Sequence, residues 1–547
     1  MGNMFIEAAN FQPTTMTENG AKAYYTTGSK VVDQFGLAGN YRNRSYDEVY
    51  EDQAALWEED KDAAIRLPFY LRLITRSTRI GEGDKKTEKV QNGQGQRDEF
   101  YKRLLWFAEF QPDVLYKNLW LVPVIGSWKD LWMLLYYDRM KDRTLDVTKV
   151  FDVFKAGLES ETHRDLVKKF MPRIKSSSKK KTNWARITGL YAKQLAKYLG
   201  LSYEKYTKLK ASGCAHDFQK LICAREYDKI NWNLIPGRAL LALTSGEFLE
   251  NHKLVENYIK WLDTKPCAKF TGYPYELLAQ YRQSKRTIQV KHTIDKQFNQ
   301  LVKVARENGR INENVLVCLD TSGSMCSLVD GLHGISCSDI ANSLALFFAE
   351  LNEGYFHNKV MMFDNTSYAH DLGDRTFTNK LDTLPRVPCG GTNFQSVADE
   401  LVKIRTEHPE IPLSDYCTTL LVVSDMQFNE TNFWNRNRGE ATNFEATVAK
   451  LKEAFPSEFV DSMKFIWWNC ASRRETFEGD AFTSGCTFLS GFDGSIISIL
   501  LGENDAEEKV VVDEETGEEV KVKVASLTAE ELAYKALNQE ILSYLTI

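Results

Sequence analysis

The chain has 547 residues, too many for one hydrophobic core, so two or more domains are expected. Hydrophobic residues make up 43% and charged residues 26%, the balance of a soluble globular protein and not of a disordered or fibrous one. A net charge of -6 excludes a chain that is basic throughout, so any contact with nucleic acid must come from a local patch. Ten cysteines occur without a C-x-x-C pair, and Cys318, Cys417 and Cys470 lie inside strand-like runs, as reduced core residues of a cytosolic protein do. Residues 1–19 carry no signal pattern and no apolar run reaches membrane-spanning length, so a soluble, cytoplasmic protein with no membrane partner is expected.

Residues 1–45 are polar and rich in Gly and Thr, with T-E-N-G at 17–20 and V-V-D-Q-F at 31–35; they read as an extended, mostly irregular arm lying on the domain that follows. Over 46–300 the pattern turns helical, with helices predicted over 48–58, 62–75, 99–109, 127–139, 184–199 and 248–262. Ser127 and Asp130 form a capping box ahead of Trp128, Leu131, Trp132 and Leu135 at helical spacing. Successive helix pairs with short breaks suit an irregular, HEAT-like solenoid, although no fixed-period repeat is visible. Residues 81–97 read as a long polar loop between helices.

Residues 175–181 (K-S-S-S-K-K-K) form a basic run containing Lys175, Lys179, Lys180 and Lys181, close in sequence to Arg164, Lys168, Lys169, Arg173 and Arg186. Basic segments bearing hydroxyls suit phosphate contacts, which position a nucleic acid without reading its sequence. The same run also reads as a solvated surface loop. A further basic stretch, 282–296, closes the helical part.

Over 301–503 strands alternate with helices. Strands are predicted over 315–319, 360–363, 419–423, 464–468 and 487–489, and helices over 338–351, 394–406, 444–454 and 495–501, the order of a doubly wound, mostly parallel α/β sheet. The first strand runs V-L-V-C-L directly into D-T-S-G-S. In open α/β sheets ligands sit at the carboxyl ends of strands, so Asp320, Ser322 and Ser324 turn their oxygens into one concavity of the kind a hard cation such as magnesium takes. The C-G-G-T-N turn at 389–393 adds the Thr392 hydroxyl, and a second buried strand ends at Asp425. Three loops can thus supply two carboxylates and three hydroxyls. In 504–547, a hairpin over 510–524 turns near 516–517, and Thr528 with Glu531 caps a last helix over 529–544, which packs on the body or serves a partner.

This donor set resembles the metal-ion-dependent adhesion site of von Willebrand factor A domains, which have a D-x-S-x-S loop, a threonine loop and an aspartate loop in this chain order. The resemblance implies Mg2+ or another divalent cation held by Ser322, Ser324 and Thr392, with Asp320 and Asp425 holding it directly or through water. A Glu or Asp carboxylate of an acidic protein partner would then be the last ligand. A second resemblance spans most of the chain. The order of features is similar to the Ro autoantigen family, a helical TROVE domain closed into a ring and followed by a von Willebrand A domain. It is carried by Tyr70-Leu71-Arg72 with Arg76, by Gly93-x-Gly95-x-Arg97-Asp98, and by Val122-Pro123-x-x-Gly126-x-Trp128-Lys129-Asp130-Leu131. The T-E-N-G stretch and S-D-M-Q-F at 424–428 also look like those of a second group of Ro-like proteins. The resemblance implies a ring that binds small noncoding RNA outside and admits RNA ends through its hole.

Enzymatic readings lack residues. A haloacid dehalogenase-like phosphohydrolase needs a second carboxylate where Ser322 stands. No G-x-S-x-G elbow accompanies Ser322 or Ser324, His333 and His370 have no matching acid, and no phosphate-cradling G-x-x-x-x-G-K-[ST] occurs, so no nucleotide cofactor is expected. The expectation is therefore a monomeric, non-enzymatic, multidomain protein, an α-helical HEAT-like solenoid or ring followed by a Rossmann-like von Willebrand A domain, that binds RNA. The alternative is a metal-dependent scaffold that grips an acidic partner and binds no RNA.

Overall fold

A computed structural model describes residues 14–80, 87–141, 144–174, 182–213, 217–308, 314–385, 389–430, 441–471, 476–492, 508–512, 517, 519–523 and 528–547. The chain divides into two compact units: a helical one, Arg44–Leu234 with Leu537–Ile547, and a sheet-bearing one, Met1–Asn43 with Ile235–Ala536.

The helical unit starts with two capped helices. Ser45 and Glu48 form a reciprocal capping box at Tyr46–Glu59, and the Asp60 carboxylate accepts from Ala63 N at the head of Lys61–Arg72. That second helix ends on a buried charge. Arg72, 2% exposed, donates to Asp130 Oδ2 through Nη2 at 2.7 Å and Nε at 3.2 Å. Tyr101 Oη donates to Asp130 Oδ1 at 2.5 Å, and the Ser127 N–H donates to Oδ2 at 2.6 Å, opening the helix Trp128–Met140. A Cβ on Gly126 would stand 2.2 Å from Asp130 Oδ2, and one on Gly93 2.5 Å from the Leu73 carbonyl. The Y-L-R, G-x-G and V-P-x-x-G-x-W-K-D-L stretches therefore converge on one buried ion pair and its close-packed backbone. A second such pair, Arg103 with Glu99 at 3.1 Å, is wholly buried in the helix Asp98–Phe110.

Residues 87–94 are not loop, as the sequence suggests, but a strand, Thr87–Gln94, antiparallel to Ile74–Ile80. Its polar composition hides it, because the ladder is made by backbone groups. The helix predicted to 75 stops at Arg72, where this hairpin begins. The helix predicted over 529–544 likewise stops at Leu537. Beyond it, the tail lies in the helical unit, with Gln539 and Asn92 exchanging two hydrogen bonds and Asn118 pairing with the backbone of Thr546.

In the sheet unit six strands lie in the order Cys486–Ser490, Lys464–Asn469, Thr419–Ser424, Val315–Asp320, Lys359–Phe363 and Ser367–Asp371. All neighbours are parallel except the last pair. The central strands are buried along their whole length, as apolar runs between two helical layers require. The half-buried edge strand Ser367–Asp371 was not legible in the sequence, since S-Y-A-H-D shows no apolar alternation. Chain order reverses direction between Val315–Asp320 and Thr419–Ser424, which opens a crevice at their carboxyl ends.

Two expected boundaries are corrected. The N-terminal stretch is not an irregular arm on the helical part: it forms the hairpin Thr14–Met16/Lys22–Tyr24 and the helix Lys30–Leu37 within the sheet unit. That helix packs on the Cys486–Ser490 strand, where Gly36 would bring a Cβ to 3.0 Å from Phe488 Cβ. Residues 235–300 also belong to this unit. The helix Ile288–Asn308 buries Val290, Ile294, Phe298 and Val302, and Phe298 stacks on Phe377 at 4.1 Å. The helix predicted over 248–262 is two, Phe248–Asn251 and Val255–Asp263, broken where Lys253 takes a φ of +56°. The hairpin near 510–524 is present as Glu508–Val512 against Glu519–Lys523. The helix predicted over 495–501 lies outside the described residues. No helix among the described residues is long and apolar enough to cross a membrane.

Candidate metal centre

Three loops meet at the carboxyl edge of the sheet, and backbone bonds tie them together. Thr321 N donates to Phe363 O at 2.9 Å, Cys389 N to Thr321 O at 2.9 Å, and Gly323 N to Gly390 O at 3.2 Å. Asn429 N donates to Thr392 O at 2.9 Å, and Thr392 N returns to Asn429 Oδ1 at 3.3 Å. Gly390 holds a φ of +91°, which a side chain would strain. The D-x-S-x-S loop, the threonine loop and the aspartate loop thus form one rigid rim.

Asp320, Ser322, Thr392 and Asp425 are each 1% exposed, and Ser324 is half-buried. Asp320 Oδ1 accepts from Ser322 N at 2.8 Å and Oδ2 from Ser424 Oγ at 2.5 Å, while Ser322 Oγ lies 3.2 Å from Ser324 Oγ. Met426 N donates to Ser424 Oγ at 3.0 Å, and Met426 sits at a φ of +61°, a strained turn that follows Asp425 directly. Burial, then the nearby Asp425 carboxylate, push the Asp320 pKa up to about 7 against the opposing pull of Ser424 and Ser322. Two carboxylates repelling each other in a dry site, ringed by neutral hydroxyls, suit a hard divalent cation. No group of three or more His, Cys, Asp or Glu that could hold a metal ion occurs among the described residues, so a cation here would depend on the hydroxyls of Ser322, Ser324 and Thr392 beside the two carboxylates.

Sequence reasoning missed the brace behind this rim. Thr17 Oγ1 donates to Phe428 O at 2.6 Å, Glu18 N to Gln427 Oε1 at 2.7 Å, and Asn19 Nδ2 to Gln427 O at 2.6 Å. The T-E-N-G and S-D-M-Q-F stretches are thus two halves of one contact that fixes the chain just after Asp425. Only their co-occurrence signalled it.

The basic residues separate. Lys175, Lys179, Lys180 and Lys181 lie outside the described residues. Arg164 caps the end of Val147–Glu159 by donating to Leu158 O and Glu159 O, and Lys168 pairs with Asp165 at 3.2 Å. Arg186 is exposed on the first turn of Asn183–Tyr198. Lys169 and Arg173 line cavities of the helical unit. The stretch over 282–296 is engaged inside the sheet unit: Arg282 with Asp339, Arg286 with Asp382 at 3.3 Å, and Lys285 with Glu247 at 3.2 Å.

Residues 313–537 match a family described as a domain of unknown function, DUF7788, and residues 17–196 match a second, DUF2828. The chain is 26% identical over 532 residues to the uncharacterized protein L728 of Acanthamoeba polyphaga mimivirus, covering 89% of this chain and 84% of that protein. Among solved structures it is similar to the Ro (RSR) protein of Deinococcus radiodurans, with a TM-score of 0.45 and 16% identity, over 86% of this chain and 99% of that one.

Proposed function

We propose that this chain is a Ro-like RNA-binding protein whose sheet unit acts as a divalent-cation-dependent adhesion module. The observation that carries this reading is the convergence of Asp320, Ser322, Ser324, Thr392 and Asp425 on one braced sheet edge, in a chain whose other unit is helical. Ser322, Ser324 and Thr392 would hold Mg2+ through neutral hydroxyls, with Asp320 and Asp425 behind them, directly or through water. A cation bound this way stays electrophilic and offers a position to a partner's Glu or Asp carboxylate. The protein's own residues supply burial, orientation and a fixed rim. The reading is not enzymatic. His370 pairs with Thr383 at 3.2 Å, and Ser322 faces Ser324.

The RNA half rests on the Ro resemblance and on the cations of the helical unit around Lys169 and Arg173. In this reading the helices form a HEAT-like frame, and the basic run at 175–181 contacts phosphates. Sequencing the nuclease-protected RNA that co-purifies with the protein tests it. A discrete enriched RNA is expected, lost when Lys179, Lys180 and Lys181 are changed to Glu. No RNA above background would leave the sheet unit as a cation-dependent scaffold alone.

A further inference from the structure

Two chambers adjoin in the helical unit, around the helices Arg164–Phe170, Asn183–Tyr198 and Tyr203–Ala211. One, about 710 Å³, is lined by Tyr203, Tyr206 and Thr207; the other, about 300 Å³, by Trp132, Trp184 and Thr188. Sites for small ligands run from roughly 300 to 1,000 Å³. Lys169, Arg173 and Lys210 line both chambers.

This shared wall is built, not incidental. Lys210 Nζ donates to Lys169 O at 3.0 Å, and Tyr206 Oη donates to Pro172 O at 3.1 Å. Gly213 lies so close that a Cβ there would stand 2.6 Å from Lys169 N. Burial first, and the nearby Arg173 second, push the Lys210 ammonium below its ordinary range. Among the described lining residues the one carboxylate is Glu204, which pairs with Lys208 at 2.7 Å. Positive charge on the wall between the chambers calls for an anion with an organic group on each side. Inorganic phosphate or a mononucleotide would leave one chamber empty. Tyr203, 55% exposed, offers a ring in the larger chamber, and Trp184 one in the smaller. Aromatic rings beside cations are what single-stranded nucleic acid stacks on.

We propose that the two chambers form one bipartite pocket for a dinucleotide step of single-stranded RNA, its phosphodiester against Lys169, Arg173 and Lys210, one base stacking on Tyr203 and the other on Trp184. This deepens the RNA-binding reading and rests on it. The test is fluorescence anisotropy of labelled decauridylate on the full chain, competed with UpU, uridine monophosphate or inorganic phosphate. Arg173→Ala and Lys210→Ala should each weaken binding about tenfold and lower the salt slope by about one. Tyr203→Ala should weaken it about tenfold with the salt slope unchanged, because it removes stacking and no charge. UpU should compete about tenfold better than either smaller probe, since it alone fills both chambers. Thermal melts run in parallel separate misfolding from loss of contact. Wild-type binding that these variants leave unchanged, or uridine monophosphate matching UpU, overturns the pocket while sparing the RNA-binding reading. No binding of decauridylate by the wild type overturns the pocket as well, and the RNA-binding reading falls with it only if no RNA co-purifies.

Discussion

Asp320→Asn should raise the melting temperature of the cation-free protein at about pH 8 while abolishing its response to magnesium. Asp320 and Asp425 are buried beside each other, and the Asp320 carboxyl is pushed up to about 7 by burial first and Asp425 second. A carboxyl raised in the folded state binds more protons there than in the unfolded chain between its ordinary pKa and the raised one. Stability of the cation-free protein therefore falls as pH rises from about 4 through about 7, the reverse of a salt-bridged aspartate. Glu478, also buried and raised to about 8, contributes in the same direction and continues the fall slightly higher. Asn removes one of the two like charges and can still accept from the Ser322 N–H, so a gain of about 1–3 kcal/mol near pH 8 is expected. That corresponds to roughly 2–4 °C per kcal/mol for a domain of ordinary size. In the wild type the shift in melting temperature produced by magnesium should grow as pH climbs through about 7, because only the ionised pair attracts the cation. Scanning calorimetry of both proteins across pH, with and without magnesium, reads all of this. Equal stabilisation of the two by magnesium would remove Asp320 from the site.

Arg72→Ala should unfold or nearly unfold the helical unit. Arg72 and Asp130 are each about 3% exposed at the side chain and pair at 2.7 Å. Removing one partner of a buried pair leaves the other charge unpaired in low dielectric, at a cost of about 3–5 kcal/mol. Asp130 also takes the Tyr101 hydroxyl and caps its own helix, so its orientation is lost as well. Arg72→Met with Asp130→Leu should recover only part of the loss, because the apolar pair restores packing but not the cap. Denaturant titration followed by circular dichroism gives the magnitudes. A loss below about 1 kcal/mol for Arg72→Ala would mean that water reaches the pair and that the motif is not structural.

That pair shows what a motif can and cannot announce. The Y-L-R, G-x-G and G-x-W-K-D-L stretches signalled a family likeness, yet the residues converge on a buried ion pair and on glycines with no room for a side chain. The strands that run into Asp320 and, through Ser424, into Asp425 were legible because each is a buried apolar run broken by a polar residue at its end, so its end is sharp in the sequence. The edge strand Ser367–Asp371 and the hairpin strand Thr87–Gln94 were not, since polar sequences pair through backbone groups that every residue carries. The membership of residues 235–308 was hidden for another reason. An amphipathic helix shows that it has a buried face, and Phe298 meeting Phe377 is a long-range fact that periodicity does not contain. The contact of Thr17 and Asn19 with residues 427 and 428 is of the same kind.

The most direct measurement is a titration of the 547-residue chain with Mn2+, a paramagnetic stand-in for magnesium, followed by water-proton relaxation. One Mn2+ per chain is expected, displaced by excess Mg2+ and lost in Asp425→Ala and Thr392→Ala, while both variants keep a cooperative melt. No Mn2+ bound by the wild type, or one equivalent bound unchanged by Asp425→Ala, would contradict the cation site on which the account of the sheet unit stands.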